Sequence, residues 1–238
     1  MAIRRYLAMT AAEIGNCAAL PPNIGWMACH FSPYCTGVSN LPRAMPPGSL
    51  LIFDDMTPIH GHDPEYIAAQ LTACVEDLSC AACLLDFQRP ESQETTAVAK
   101  QLVSALPCPV AVSEPYAQDL DCPVFLPPPP PDTPLTDYLQ PWQGREIWLE
   151  MALGGTILTL TEQGCSRAPL PLGDATGGGF PENHLHCHYS IQSEEDTAQF
   201  TLWRTREDLE DLLKEAEALG VTTAVGLYQE LEKKPQME

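Results

Sequence analysis

The chain has 238 residues, 45% of them apolar, and a formal net charge of −20 from 32 acidic residues against 12 Lys plus Arg. That length buries a full core, and the charge argues against phosphate backbones and anionic membranes as partners. No apolar run approaches the roughly 20 residues of a spanning helix.

The opening MAIRRYLAMTAAEIGN has no signal-peptide apolar region and reads as the first strand of the mature fold. Ten cysteines sit within segments such as WMACHF, LTACVEDL and CAACLL, where a free thiol behaves as a small hydrophobe. With no export signal, a reducing cytoplasm is expected. CAAC has redox or zinc spacing but no second CxxC, and filling of a strand explains it better.

Eight short apolar runs read as strands: RRYLAM (4–9), IGWMACH (24–30), SLLIFDD (49–55), AACLLDF (81–87), PVAVSE (109–114), PVFLP (123–127), EIWLEM (146–151) and TTAVGLY (222–228). Amphipathic helices fall between them. HDPEYIAAQLTACVEDL has Asp63 as N-cap and Pro64 at the first helical position. ESQETTAVAKQLVSAL begins at Ser92 and stops before Pro107, and TREDLEDLLKEAEALG is capped by Thr205, carries one stripe of Leu209, Leu212, Leu213 and Ala216, and ends at Gly220. The run PPPPPDTPLTDYLQPW is a stiff exposed connector, the commoner case, or a rigid cleft wall.

Strands alternating with helices predict an α/β fold, a (β/α)8 TIM barrel over 1–238, with a doubly wound open sheet as the less economical alternative. Residues 154–203 break the rhythm with period-2 segments around a Gly- and Pro-rich loop. They are expected to be a small antiparallel β subdomain inserted between the seventh strand and its helix.

In that layout CAACLLDFQRPE (80–91) brings Asp86 and Gln88 to the C-terminal end of the fourth strand, where barrel active sites lie. Alternation puts both on one side and Leu85 and Phe87 on the other. The segment resembles the fourth strand of family 18 glycoside hydrolases, the chitinase-like barrels, which ends in Asp-x-x-Asp-x-Asp-x-Glu. On that motif Ala81 and Leu84 replace the first two aspartates, Asp86 matches the third, Phe87 matches a frequent aromatic, and Gln88 replaces the glutamate. The family's insertion after the seventh strand falls at 154–203, and its eighth-strand tryptophan falls near Tyr228. The third strand lacks Ser-x-Gly-Gly, and PVFLPPPPP lacks the sixth-strand Met-x-Tyr-Asp.

The resemblance implies a sugar-binding cleft in which Asp86 orients the ligand. An amide has no transferable proton, so Gln88 can hold a hydroxyl but cannot act as general acid. The expected function is carbohydrate binding without ordinary chitinase activity, the partner being an oligosaccharide or related small molecule.

Other strand ends carry Asp54 and Asp55, Glu114, Glu150 and, after the eighth strand, Glu230. An active hydrolase drawing its acids from Asp54, Asp55, Asp86, Glu114 and Glu150 is the alternative. Ligand contacts are expected from Gln88, Asp55, Tyr116, Tyr228 and Glu230. Trp26, Tyr34, Tyr116 and Trp148 are candidates for stacking on sugar rings, and core packing explains the tryptophans equally well. A further alternative is a metal-dependent hydrolase using His60 and His62, although such a pair usually ends the first strand and needs partners elsewhere. His184, His186 and His188 read as the polar face of one strand. No cofactor and no metal are expected.

Overall fold

The computed structural model of the protein describes residues 2–170 and 178–232. Eight parallel strands close on themselves: β1 (Arg4–Met9), β2 (Ile24–Phe31), β4 (Leu50–Asp54), β5 (Ala82–Asp86), β6 (Val110–Ser113), β7 (Val124–Leu126), β8 (Ile147–Met151) and β14 (Val221–Leu227). β14 pairs with β1, and β1 pairs with β2, so the sheet has no free edge within the ring. This is the expected (β/α)8 barrel. A two-residue strand, β3 (Val38–Ser39), folds back antiparallel on β2.

The helical coat is less regular than the alternation suggested. α2 (Pro64–Asp77), α3 (Gln93–Ala105) and α6 (Arg206–Ala218) are full helices. α1 (Ala11–Asn16), α4 (Glu114–Ala117), α5 (Leu135–Leu139) and α7 (Tyr228–Leu231) are one to two turns long. The chain leaves no room for more: only ten residues separate β6 from β7.

The three long helices start as their caps dictate. Asp63 accepts from the N–H of Glu65 and Tyr66 with Pro64 following, Ser92 accepts from the Thr95 N–H, and Thr205 forms a reciprocal box with Asp208. Gly220 ends α6 at φ +94°, where a side chain would be strained.

Strand alternation divides the apolar side chains into two cores. Tyr6, Leu50, Ile52, Leu84, Phe125 and Trp148 fill the inside of the barrel. Phe53, Leu85, Phe87, Leu102, Leu149 and Leu212 lie in the shell between strands and helices. Cys80 and Cys83 belong to that shell, and burial pushes both thiols up. All ten cysteines are unpaired.

Between β8 and α6 the chain builds a second sheet from β9 (Gly155–Thr161), β10 (Gly164–Leu170), β11 (Phe180–Glu182), β12 (Cys187–Glu194) and β13 (Thr197–Trp203). Its order is β10-β9-β13-β12-β11, with antiparallel pairing throughout. The β insertion thus falls where the sequence placed it. Part of its Gly-rich loop, 171–177, lies outside the described residues. Among the described residues no helix is long and apolar enough to cross a membrane.

Candidate functional site at the barrel mouth

The register decides which side chains meet. β4 and β5 pair with Asp54 opposite Asp86, two residues beyond Ile52 and Leu84 and so on the same inward face. Both carboxylates therefore face the C-terminal mouth from adjacent strands. On β8 the inward residue after Trp148 is Glu150, which approaches from the far side of the ring. Asp86 and Glu150 line one small cavity of about 40 Å³ with Met27, Leu84, Val225 and Leu227. That space holds a group the size of a water molecule. Phe125 and Trp148 plug the barrel beneath that space.

Gln88 faces the same way. Its side-chain amide donates to both Asp86 carboxylate oxygens, at 3.1 and 3.3 Å. Phe87, between them, is fully buried in the outer shell among Phe31, Phe53 and Tyr116. The inward register of Asp86 and Gln88 is the one read from the sequence.

Electrostatics sets the protonation of the mouth. Burial is the main reason that Asp86 lies above the usual carboxylate range; Asp54 and Asp55 add to it, and the Gln88 amide opposes it. Burial likewise raises Asp54, against the Met56 N–H and His30. Of these carboxyls Glu150 shifts most, to about 7, first from burial and then from Asp86 and Glu230. Tyr138, on α5, is raised by burial and by Glu114 and Glu150, and its hydroxyl donates to the Pro127 carbonyl at 2.8 Å.

The remaining sequence-designated residues divide by what they touch. Asp55 is 4% exposed and accepts the backbone N–H groups of Gln88 and Arg89, both at 2.9 Å. It pins the loop that carries Gln88, so both of its carboxylate oxygens are engaged by backbone N–H groups. Glu114 opens α4 beside Tyr138, outside the Asp86 cavity. Glu230 accepts the Leu153 N–H and joins α7 to the end of β8.

Tyr116 is buried, with its hydroxyl donating to the carbonyls of Arg89 and Pro90, so it cannot stack on a sugar. Tyr228 is the first residue of α7 and turns toward Cys17, 3.8 Å away. The inward residue at the end of β14 is Leu227, because alternation from the inward Val225 gives Tyr228 the opposite parity. Trp148 is core, and Trp26 is tied to the Asn40 carbonyl at 2.9 Å. Tyr34, 95% exposed in the loop after β2, is free to stack.

His62 has neither ring nitrogen to spare. Nδ1 accepts the His60 N–H at 3.0 Å, and Nε2 lies 3.1 Å from the Ser32 carbonyl and donates to it. The His-x-His pair is a loop clasp. The second histidine group is also divided: His184 and His186 fall in a turn, with His186 at φ +49°, and only His188 is in β12. His186 meets Glu215 and His188 meets Asp208, both on α6. Among the described residues no three His, Cys, Asp or Glu side chains are arranged to hold a metal.

Sequence reasoning missed His30 and Met27. A bulge between Trp26 and Cys29 shifts the phase of β2, so Met27 and His30 face inward while Cys29 and Phe31 face the shell. His30 pairs with Asp54 across the strands, and its Nδ1 is buried with no hydrogen-bond partner among the described residues. Strict alternation carries no signal for such a phase shift. The polyproline run is the other correction. Pro129 and Pro131 are buried, so the run is a wall and not an exposed connector.

The architecture defined by these features is a (β/α)8 barrel with a small antiparallel sheet inserted after its seventh barrel strand. No protein-family model and no curated protein matches the chain. Solved structures do match its fold. A class V chitinase from Nicotiana tobaccum in complex with NAG4 superposes with a TM-score of 0.60 at 10% identity, over 96% of this chain and 94% of that one. A family GH18 chitinase from Cycas revoluta in complex with allosamidin gives 0.57 at 9%, over 94% of each chain. The Bacillus cereus spore cortex-lytic enzyme SleL gives 0.59 at 9%, over 94% of this chain and 70% of that one. The likeness is one of fold, as the fourth strand led us to expect.

Proposed function

We propose that the protein binds an oligosaccharide or a related polar small molecule across the mouth of the barrel and does not cleave it by the chitinase route. The observation that carries this reading is the Asp86–Gln88 pair, aimed into the mouth and joined amide to carboxylate. An amide offers donor and acceptor to sugar hydroxyls but no proton to a leaving oxygen. His30, with its orphaned buried nitrogen, supports a polar ligand there. The tobacco chitinase similar in fold is a glutamate-to-glutamine mutant with a bound tetrasaccharide, which supports the idea that glutamine suits holding rather than cutting. Ten unpaired cysteines support a reducing, cytoplasmic setting.

Calorimetric titration with N-acetylglucosamine oligomers is the direct test. Binding is expected, weakened at least tenfold by Asp86→Ala and several-fold by Gln88→Ala. No binding to any oligomer would sink the proposal.

Glu150 favours a second reading. It shares the cavity with Asp86, accepts no hydrogen bond among the described residues, and with its pKa at about 7 exchanges its proton at neutral pH, where about half of it is protonated. In that reading Glu150 protonates the leaving oxygen of a sugar lying over the mouth, water adds to the anomeric carbon as the glycosidic bond breaks, and the Asp86 carboxylate takes the proton that water gives up. Hydrolysis of an aryl glycoside that falls as pH rises through 7 and is abolished by Glu150→Gln would establish it. A panel of substrates left untouched by the wild type leaves binding alone.

A further inference from the structure

The polyproline wall and the inserted sheet enclose a cavity of about 460 Å³, within the size range of small-molecule sites. Its lining is mostly carbon: Pro128 to Pro131 on one side, Gly155, Ala168 and Leu170 on the other. One charged side chain is buried in that lining. Arg204 is 5% exposed, and its guanidinium reaches three carbonyls: His186 from Nε at 3.2 Å, Pro130 from Nη2 at 3.4 Å, and Pro129 from Nη1.

Those bonds use three of the five N–H groups of an arginine. Among the described residues no carboxylate pairs with it. Asp208, the nearest acid whose field it feels, is occupied by Thr205 and His188. Burial lowers Arg204 to about 10, which leaves it charged at neutral pH. At the rim Arg167 is already neutralised by Asp132. A buried cation held only by carbonyl dipoles, at the edge of an otherwise apolar cavity, lacks its counter-charge.

We propose that this cavity is a second binding site, which takes a carboxylate-bearing saccharide unit and sets its carboxylate against Arg204. A planar carboxylate matches the guanidinium fork. Carbon faces of the ring would pack on the prolines. The cavity opens on the same rim as Asp86 and Glu150, since Pro128 follows the end of β7 by two residues and Ala152 directly follows β8. One acidic oligosaccharide can therefore occupy both places. The saccharide half of this inference rests on the carbohydrate reading of the mouth; the carboxylate half does not.

The test is titration of the full chain with D-glucuronate, D-glucose and benzoate at physiological salt, followed by calorimetry or ligand-observed NMR. Arg204→Met removes the fork. Because it also loosens the wall, Ala168→Trp is the second variant, filling the cavity from an exposed strand position. Glucuronate is expected to bind at least tenfold more tightly than glucose, and the preference should shrink to within twofold in A168W. Equal binding of the two sugars, or a preference that survives A168W, overturns the site. Benzoate binding as well as glucuronate, and lost in A168W, keeps the carboxylate and overturns the saccharide. Glucuronate binding with no N-acetylglucosamine oligomer bound anywhere would support this cavity while removing the function proposed for the mouth.

Discussion

The Glu150 carboxyl is raised to about 7 because three conditions coincide: burial, Asp86 across the cavity, and Glu230 nearby. Its folded pKa of about 7 lies above the ordinary glutamate value, so folding takes up a proton between about pH 4.5 and 7. The stability tied to that proton is fully present below the ordinary value and is lost as pH rises through 7. Glu150→Gln removes the dependence. It is expected to stabilise the protein by roughly 2 kcal/mol at pH 8 and to change little at pH 4, by urea unfolding at the two pH values. Equal effects at both would place the proton elsewhere.

At Gln88 the expected outcome is a negative one. Gln88→Glu would set a third acid beside Asp86 and Asp54, whose charge raises its pKa into the range of a usable acid. The exposed side chain should be accommodated with a change in Tm of a few degrees at most. Little or no hydrolysis of a chitobioside is expected, since PVFLPPPPP brings no tyrosine and aspartate on the sixth barrel strand. Robust turnover would show instead that Tyr138, on α5 within the field of Glu150, supplies what that strand lacks.

The element that matters most to the site is the loop after β5. Asp55 accepts two of its N–H groups, while Arg89 returns to the carbonyls of Asp55 and Met56 at 2.7 and 2.8 Å. Ser113, buried at the end of β6, accepts the Phe87 N–H at 2.8 Å and reaches the Leu85 and Phe87 carbonyls. Asp55→Ala would leave two donors without partners. A loss of about 3 kcal/mol in unfolding free energy is expected, together with weakened ligand binding from the displaced Gln88. Wild-type stability in this variant would show that the clasp is solvated and not structural.

These loops also show where local sequence stops being informative. The caps at Asp63, Ser92 and Thr205 act within four residues of themselves, and each starts its helix where it was expected. The clasp between Asp55 and Gln88 spans 33 residues and depends on two strands lying side by side. The histidine triplet in HLHCHY had the right period for a strand face. His186 in a left-handed turn divided it, and pairing with Glu215 and Asp208 made it an attachment of the inserted sheet to α6.

On the scale of the whole molecule, −20 charges on 238 residues make self-repulsion a general load on the folded state. Described ion pairs do little to relieve it, since Arg5–Glu210 and Lys214–Asp211 are exposed. Raising ionic strength from about 0.02 to 0.5 M at pH 7.5 shortens the Debye length from roughly 20 Å to 4 Å, and Tm is expected to rise by several degrees. A flat response would mean that the acids are spaced too widely to interact. The effect should be larger at pH 8 than at pH 5.5, where Glu150 is neutral.

The strand count, the barrel, the inserted sheet and the inward register of Asp86 were all present in the sequence by itself. Each rests on a short-range pattern: period-2 alternation, a capping residue, a proline or glycine stop. The tertiary structure alone decided the membership of the site. Closing the ring brought Glu150 across to Asp86, and the bulge in β2 turned His30 inward. The parity of β14 put Leu227 and not Tyr228 on the inner face, and packing of the inserted sheet against Pro128 to Pro131 made a wall around Arg204. Pairings of that kind are set by register and closure between residues dozens of positions apart, and a linear pattern holds no record of them.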